Sequence, residues 1–224
     1  MKNRNRSRQS GFTLVEIAIV LVIIGLLLGG VLKGQELIEN AKIKNLKNDY
    51  QGVAAAFYAY KDRYNATPGD DAGAATRWTT PAIPARAGGG AFGDGTVDTL
   101  NGWTGCTTAN GTESCLFWQH LRRAGLISGD VASSADSINA YGGITRILAS
   151  SGASTATVAG LNICMGNLPA KAAEAIDRAF DDGNNATGSV RAILGANNIS
   201  PLAAATAAGY VDAASNTYTV CKSL

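Results

Sequence analysis

The sequence predicts an α+β protein in which one long N-terminal helix lends its second half to an antiparallel β-sheet head. Three observations predict it. Residues 12–32 form an apolar run with a single charge, Glu16. Between Ile43 and Tyr64 the apolar and aromatic residues recur at helical spacing. Beyond Pro68 that period gives way to Gly- and Thr-rich loops and to short apolar runs of strand length, and all four cysteines lie in this part. At 224 residues the chain has length for one sizeable domain and an appendage.

Charge is distributed unevenly. Lys2, Arg4, Arg6 and Arg8 stand in residues 1–11 with no acid, and the remainder holds 15 basic against 17 acidic side chains. The basic excess is therefore confined to the leader, and the rest offers no general electrostatic case for nucleic acid. Only 16% of residues are charged against 46% hydrophobic, which suits a chain that is partly membrane-embedded.

The 21 residues from 12 to 32 would make about 31 Å of helix, enough for a hydrocarbon core of roughly 30 Å. The arginines before them keep the leader cytoplasmic and send the rest outward. A cleaved secretory signal would place its cut after the run, near Gly29-Gly30, but the helical pattern continues past it. A plain signal anchor explains the length and the arginines, yet leaves Glu16 unexplained. A carboxylate in a membrane helix is costly, by about 2.5 kcal/mol or more, and is a functional candidate by default. A cut after Gly11 would give Phe12 a new α-amino group, with Glu16 at i+4 on the same face. A neighbouring subunit's ammonium then becomes available to neutralise Glu16. The plainer alternative is a glutamate that snorkels to water.

Residues 8–16, Arg-Gln-Ser-Gly-Phe-Thr-Leu-Val-Glu, resemble the type III signal sequence of type IV pilins and type II secretion pseudopilins. The resemblance implies cleavage by a prepilin peptidase between Gly11 and Phe12, N-methylation of Phe12, and an assembly role for Glu16. It implies a pilin-like fold, a single-pass inner-membrane state with a periplasmic head, and an inner-membrane assembly platform. A homo-oligomeric helical filament, extracellular or periplasmic, is the product. Within that class the chain is a pilin, a secretion pseudopilin, or a minor tip pilin gripping DNA or surfaces.

Past the apolar run, Ile43, Leu46, Tyr50, Val53, Phe57, Tyr60 and Tyr64 alternate at spacings of three and four. Residues 33–64 thus read as an amphipathic helix whose one stripe packs on the head, and a helix over 12–64 would reach about 80 Å. Gly25, Gly29, Gly30 and Gly34 allow either close helix approach or local melting. Pro68-Gly69 ends the helix and opens the head, residues 65–224.

In the head, residues 113–127 read as a helix closed by Gly125, and 155–164, 188–194 and 216–221 as strands. Asn167 is the expected cap of a helix over 168–180 that Gly183 stops. The Ser-rich stretch before 155 reads as a linker. His120, the one histidine, has no acid or serine partner at recognisable spacing and reads as a structural hydrogen-bonding residue. No nucleophile elbow, phosphate loop or metal-ligand cluster appears, so an enzyme is not expected.

Two acidic loops, Asp70-Asp71 and Asp94 with Asp98, raise calcium as the candidate cofactor, with Asp94 and Asp98 as ligands; ordinary Asp-Gly turns are the alternative. Four cysteines outside the cytoplasm read as two disulfides, for which three pairings exist. The expectation is the sequence-adjacent one, Cys106 with Cys115 and Cys164 with Cys221. Pilin C-termini are commonly tied by a disulfide, and the resemblance supports that choice.

Overall fold

The computed structural model describes residues 13–80, 83, 92–97, 106, 111–150, 157–195, 200–201 and 209–224. Gly11, Phe12, the rest of the leader and Asp98 lie outside the described residues. Helix α1 (Leu14–Tyr64) runs without a break for 51 residues, as an apolar and proline-free sequence requires. Two compact units share it, Met1–Ala41 and Lys42–Leu224.

In the first unit every side chain from 13 to 33 is exposed, Leu14 by 85% and Leu26 by 74%. No apolar face there is covered. The second unit begins where the stripe begins. Ile43, Leu46, Tyr50, Val53, Phe57 and Tyr60 are buried, together with Ala56, and Tyr64 is half-buried.

After a short α2 (Ala74–Arg77) comes α3 (Glu113–Arg123). It ends four residues earlier than the sequence predicts. The Leu126 amide donates to the Leu121 carbonyl and the Gly125 amide to that of Arg122, closing the helix in a Schellman motif. Gly125 supplies the positive φ of 69° that this stop needs.

Five strands form one antiparallel sheet: β1 (Ser137–Ile138), β2 (Ile144–Ser150), β3 (Gly160–Pro169), β4 (Val190–Leu194) and β5 (Thr217–Ser223). Their order is β1-β2-β3-β5-β4. β1 and β2 arise in the stretch expected to be a linker. β3 begins later than expected and runs on to Pro169, so α4 (Ala170–Phe180) starts two residues late and Asn167 does not cap it. Asn167 instead adopts a φ of 60° in a β-bulge between Met165 and Leu168, and its Nδ2 donates to the Tyr141 carbonyl. A Cβ on Gly143 would strike the Gly166 carbonyl, so only glycine lets the β1–β2 turn lie against this bulge.

One core joins the α1 stripe to Phe117, Trp118 and Leu121 of α3, Ile147 of β2, Ile163, Met165 and Leu168 of β3, Ile176 of α4 and Val220 of β5. The Tyr50 hydroxyl, fully buried, donates to the Val220 carbonyl at 2.8 Å. The stripe is thereby hydrogen-bonded to a central strand as well as packed on the sheet.

Both disulfides join sequence neighbours, Cys106 to Cys115 and Cys164 to Cys221. Cys164 and Cys221 face each other across β3 and β5, both fully buried beside Leu148. Beside the other disulfide, the Asp136 carboxylate pairs with the Arg146 guanidinium and accepts the Cys106 amide at 2.9 Å. That ion pair is buried, with side chains 4% and 1% exposed.

Two stability differences are expected. Alanine at both Cys164 and Cys221 opens a 57-residue separation and costs about 4 kcal/mol; alanine at Cys106 and Cys115, nine apart, costs about 2.5 kcal/mol. Urea unfolding of the full chain in detergent should rank them so, and the reverse order contradicts the loop-closure account. By the same measurement Asp136→Ala, which removes the carboxylate paired with the buried Arg146 guanidinium, costs about 3–5 kcal/mol. Glu174→Ala breaks the exposed pair with Arg178 and costs under about 1 kcal/mol.

Candidate functional site

Thr13 and Glu16 build the start of α1. The Thr13 amide and hydroxyl both donate to Glu16 Oε2 at 2.8 Å, and the Glu16 amide donates back to Thr13 Oγ1 at 3.3 Å. This is a capping box, with Thr13 as N-cap and Glu16 at the third helical position. It satisfies amides that a helix start leaves without partners. The expected discriminating residue is thus engaged locally. Only one oxygen is used: among the described residues Glu16 Oε1 accepts no hydrogen bond. Sequence reasoning missed Thr13, although Thr-x-x-Glu before an apolar run is a legible signal.

Apart from Thr13, the described residues flanking this carboxylate along α1 are apolar. Glu16 aside, residues 14–32 present only Leu, Val, Ile, Ala and Gly. An 18-residue window in α1 has a mean hydropathy of 2.8, long and apolar enough to cross a membrane. A helix hydrophobic all round belongs in lipid or in the interior of a larger assembly.

The acidic loops of the head meet each other. Asp70, buried, accepts the amides of Gly93 and Gly95, so its carboxylate sits in the turn that carries Asp94. Gly93 and Gly95 both have positive φ, near 90°, which turns their amides toward it. Asp94 Oδ1 accepts the Thr96 amide and hydroxyl in a local turn. Asp71 accepts the Gly73 amide, the Tyr60 hydroxyl at 2.6 Å and Arg77 Nη1 at 2.7 Å. Burial alone would raise the Asp71 carboxyl; the bonds from Arg77, Tyr60 and Gly73 hold it below the ordinary range.

A second acidic group stands at the end of α4, where sequence reasoning singles out only Gly183. Asp177, Asp181 and Asp182 bring carboxylate oxygens within 4.8 Å of one another. Asp177 is buried and accepts the Tyr210 hydroxyl and the Gly183 amide. Asp181 takes the amides of Ser189 and Val190, and Asp182 those of Asn184 and the Thr187 hydroxyl. All three therefore hold the loop that leaves α4.

His120 is buried, and its Nδ1 accepts the Gly69 amide at 2.9 Å, a structural bond of the kind expected. Its ring stacks on Tyr60 at 6.1 Å between centroids.

A family model described as the prokaryotic N-terminal methylation motif matches residues 6–32. The match covers the end of the leader and the apolar run, and none of the head. No curated protein and no solved structure matches the chain. The chain thus carries the N-terminal signature of the type IV pilins and pseudopilins, followed in sequence by an α+β head of pilin-like architecture.

Proposed function

We propose that the chain is a structural subunit of a type IV pilus-like filament, held in the inner membrane until it is assembled. The observation that carries this reading is the methylation motif on a helix that is apolar on every face and bears one carboxylate. A prepilin peptidase cuts after Gly11 and the new N-terminus on Phe12 is methylated. The head stands outside the cytoplasm, where two disulfides persist. The assembly platform then moves the apolar half of α1 from lipid into the filament core. No catalytic role is assigned to the head; its work is mechanical.

Glu16 has two tasks in this scheme. Oε2 caps its own helix, and Oε1 receives the N-terminal ammonium of a neighbour as both leave the membrane. Such a pair fixes register more than it adds stability, because desolvation offsets most of the attraction.

Gln separates the two tasks, since it serves as well as Glu at the third position of a capping box but carries no charge. Glu16→Gln should therefore insert, be cleaved and keep its helix, yet yield at least tenfold fewer filaments by electron microscopy, as should Glu16→Ala. Wild-type filament numbers with Gln would reduce Glu16 to a cap and remove the ammonium pair from the scheme.

A further inference from the structure

Pro68 and Gly69 turn the chain out of α1, and both are buried against α3. Gly69 has a φ of 94°, and a Cβ there would strike the Glu113 carbonyl. The turn is therefore pressed directly onto the helix backbone. Its amide ends on the ring of His120, at Nδ1. Because Nδ1 accepts, the neutral ring carries its proton on Nε2. That atom is buried and has no hydrogen-bond partner among the described residues.

We propose that His120 is an acid-released latch: its neutral ring holds the Pro68-Gly69 turn, and with it the last turn of α1, on α3, and protonation lets them go. The argument is steric and electrostatic. A second ring proton belongs on Nδ1, where it would point at the Gly69 N–H, so the latch bond breaks as the charge arrives. The imidazolium would then be buried, with its Nε2–H facing no acceptor among the described residues. Unlike an ion-paired histidine, it has no carboxylate in hydrogen-bond contact among the described residues.

The groups facing the ring come from each element around it. From α1 the Tyr60 phenol stacks on it, its hydroxyl turned away to Asp71. The loop after the turn contributes Asp71, whose charge draws a proton toward the ring. From α2 comes Arg77, with Trp78 just beyond it at 6.2 Å between rings, and α3 itself adds Arg123. Burial acts first and keeps the proton off, the two guanidiniums add to it, and Asp71 opposes; the ring is lowered to about 4.

The sign follows. An unfolded histidine titrates near 6.5, above the folded ring, so the stability this residue lends is complete above about pH 6.5 and is lost as pH falls toward 4. Between pH 7.5 and 4.5 the folding equilibrium constant should drop about 70-fold through His120 alone. What loosens first is the joint of Tyr60, Tyr64 and Trp78 at the end of α1, because these rings pack on one another and Tyr60 and Trp78 pack on His120.

One histidine in the chain makes the test clean. Ring-labelled full-length protein in detergent micelles should show by NMR the Nε2–H tautomer at neutral pH and no titration above pH 5. A ring that titrates near 6.5, or the other tautomer, overturns the latch. His120→Asn keeps an acceptor near the Nδ1 position but cannot titrate. In urea unfolding its folding constant should fall far less than the wild type's between pH 7.5 and 4.5. An equal fall would assign the acid loss to the carboxylates, against the proposal; should the variant not fold, the ring titration of the wild type decides alone.

Discussion

A single carboxylate at the head of a helix without a polar face constrains everything N-terminal to the head. Glu16 cannot turn to a wet side of α1, because residues 14–32 have none. Its own chain meets part of the demand through Thr13, with one oxygen. The remainder calls for a cation, and a cut after Gly11 would supply one while removing the four basic residues of the leader. In the proposed function, cleavage and assembly would together answer that one unbalanced charge in an apolar setting. The methylation motif matches residues 6–32, the segment that holds both Gly11 and Glu16.

The second unit answers a different problem, how to bury one stripe of a helix. The sheet and α3 do so with aromatic and aliphatic side chains, and the hydrogen bond from Tyr50 to Val220 sets the stripe against the sheet. Loops are held by carboxylates that accept backbone amides. Asp70 fastens the Gly93–Gly95 turn, Asp181 fastens the start of β4, and Asp136 fastens Cys106 and Arg146. The disulfide between β3 and β5 ties the C-terminal strand to the centre of the sheet.

The parts that were legible in the sequence are those governed by periodicity. The stripe from Ile43 to Tyr60 could be read because seven-residue spacing has one simple structural meaning. β2 could not, because buried Arg146 interrupts its apolar run and is neutralised by Asp136, ten residues earlier. Asn167 misled for a related reason. Asn favours both helix caps and left-handed backbone, and a bulge packed on Gly143 decided between them. Disulfide pairing depends on which strands are neighbours, so spacing alone left it open. At the site, Glu16 stood out by its charge, whereas Thr13 was passed over because threonine in an apolar run attracts no notice until its hydroxyl is seen on a carboxylate.

Whether processing creates the cation that Glu16 needs can be read from the mass of the mature N-terminus. Protein recovered from membranes and filaments should begin at Phe12 and be heavier than that sequence by one methyl group. An intact Met1, or a cut near Gly30 that discards Glu16 with the apolar helix, would contradict it.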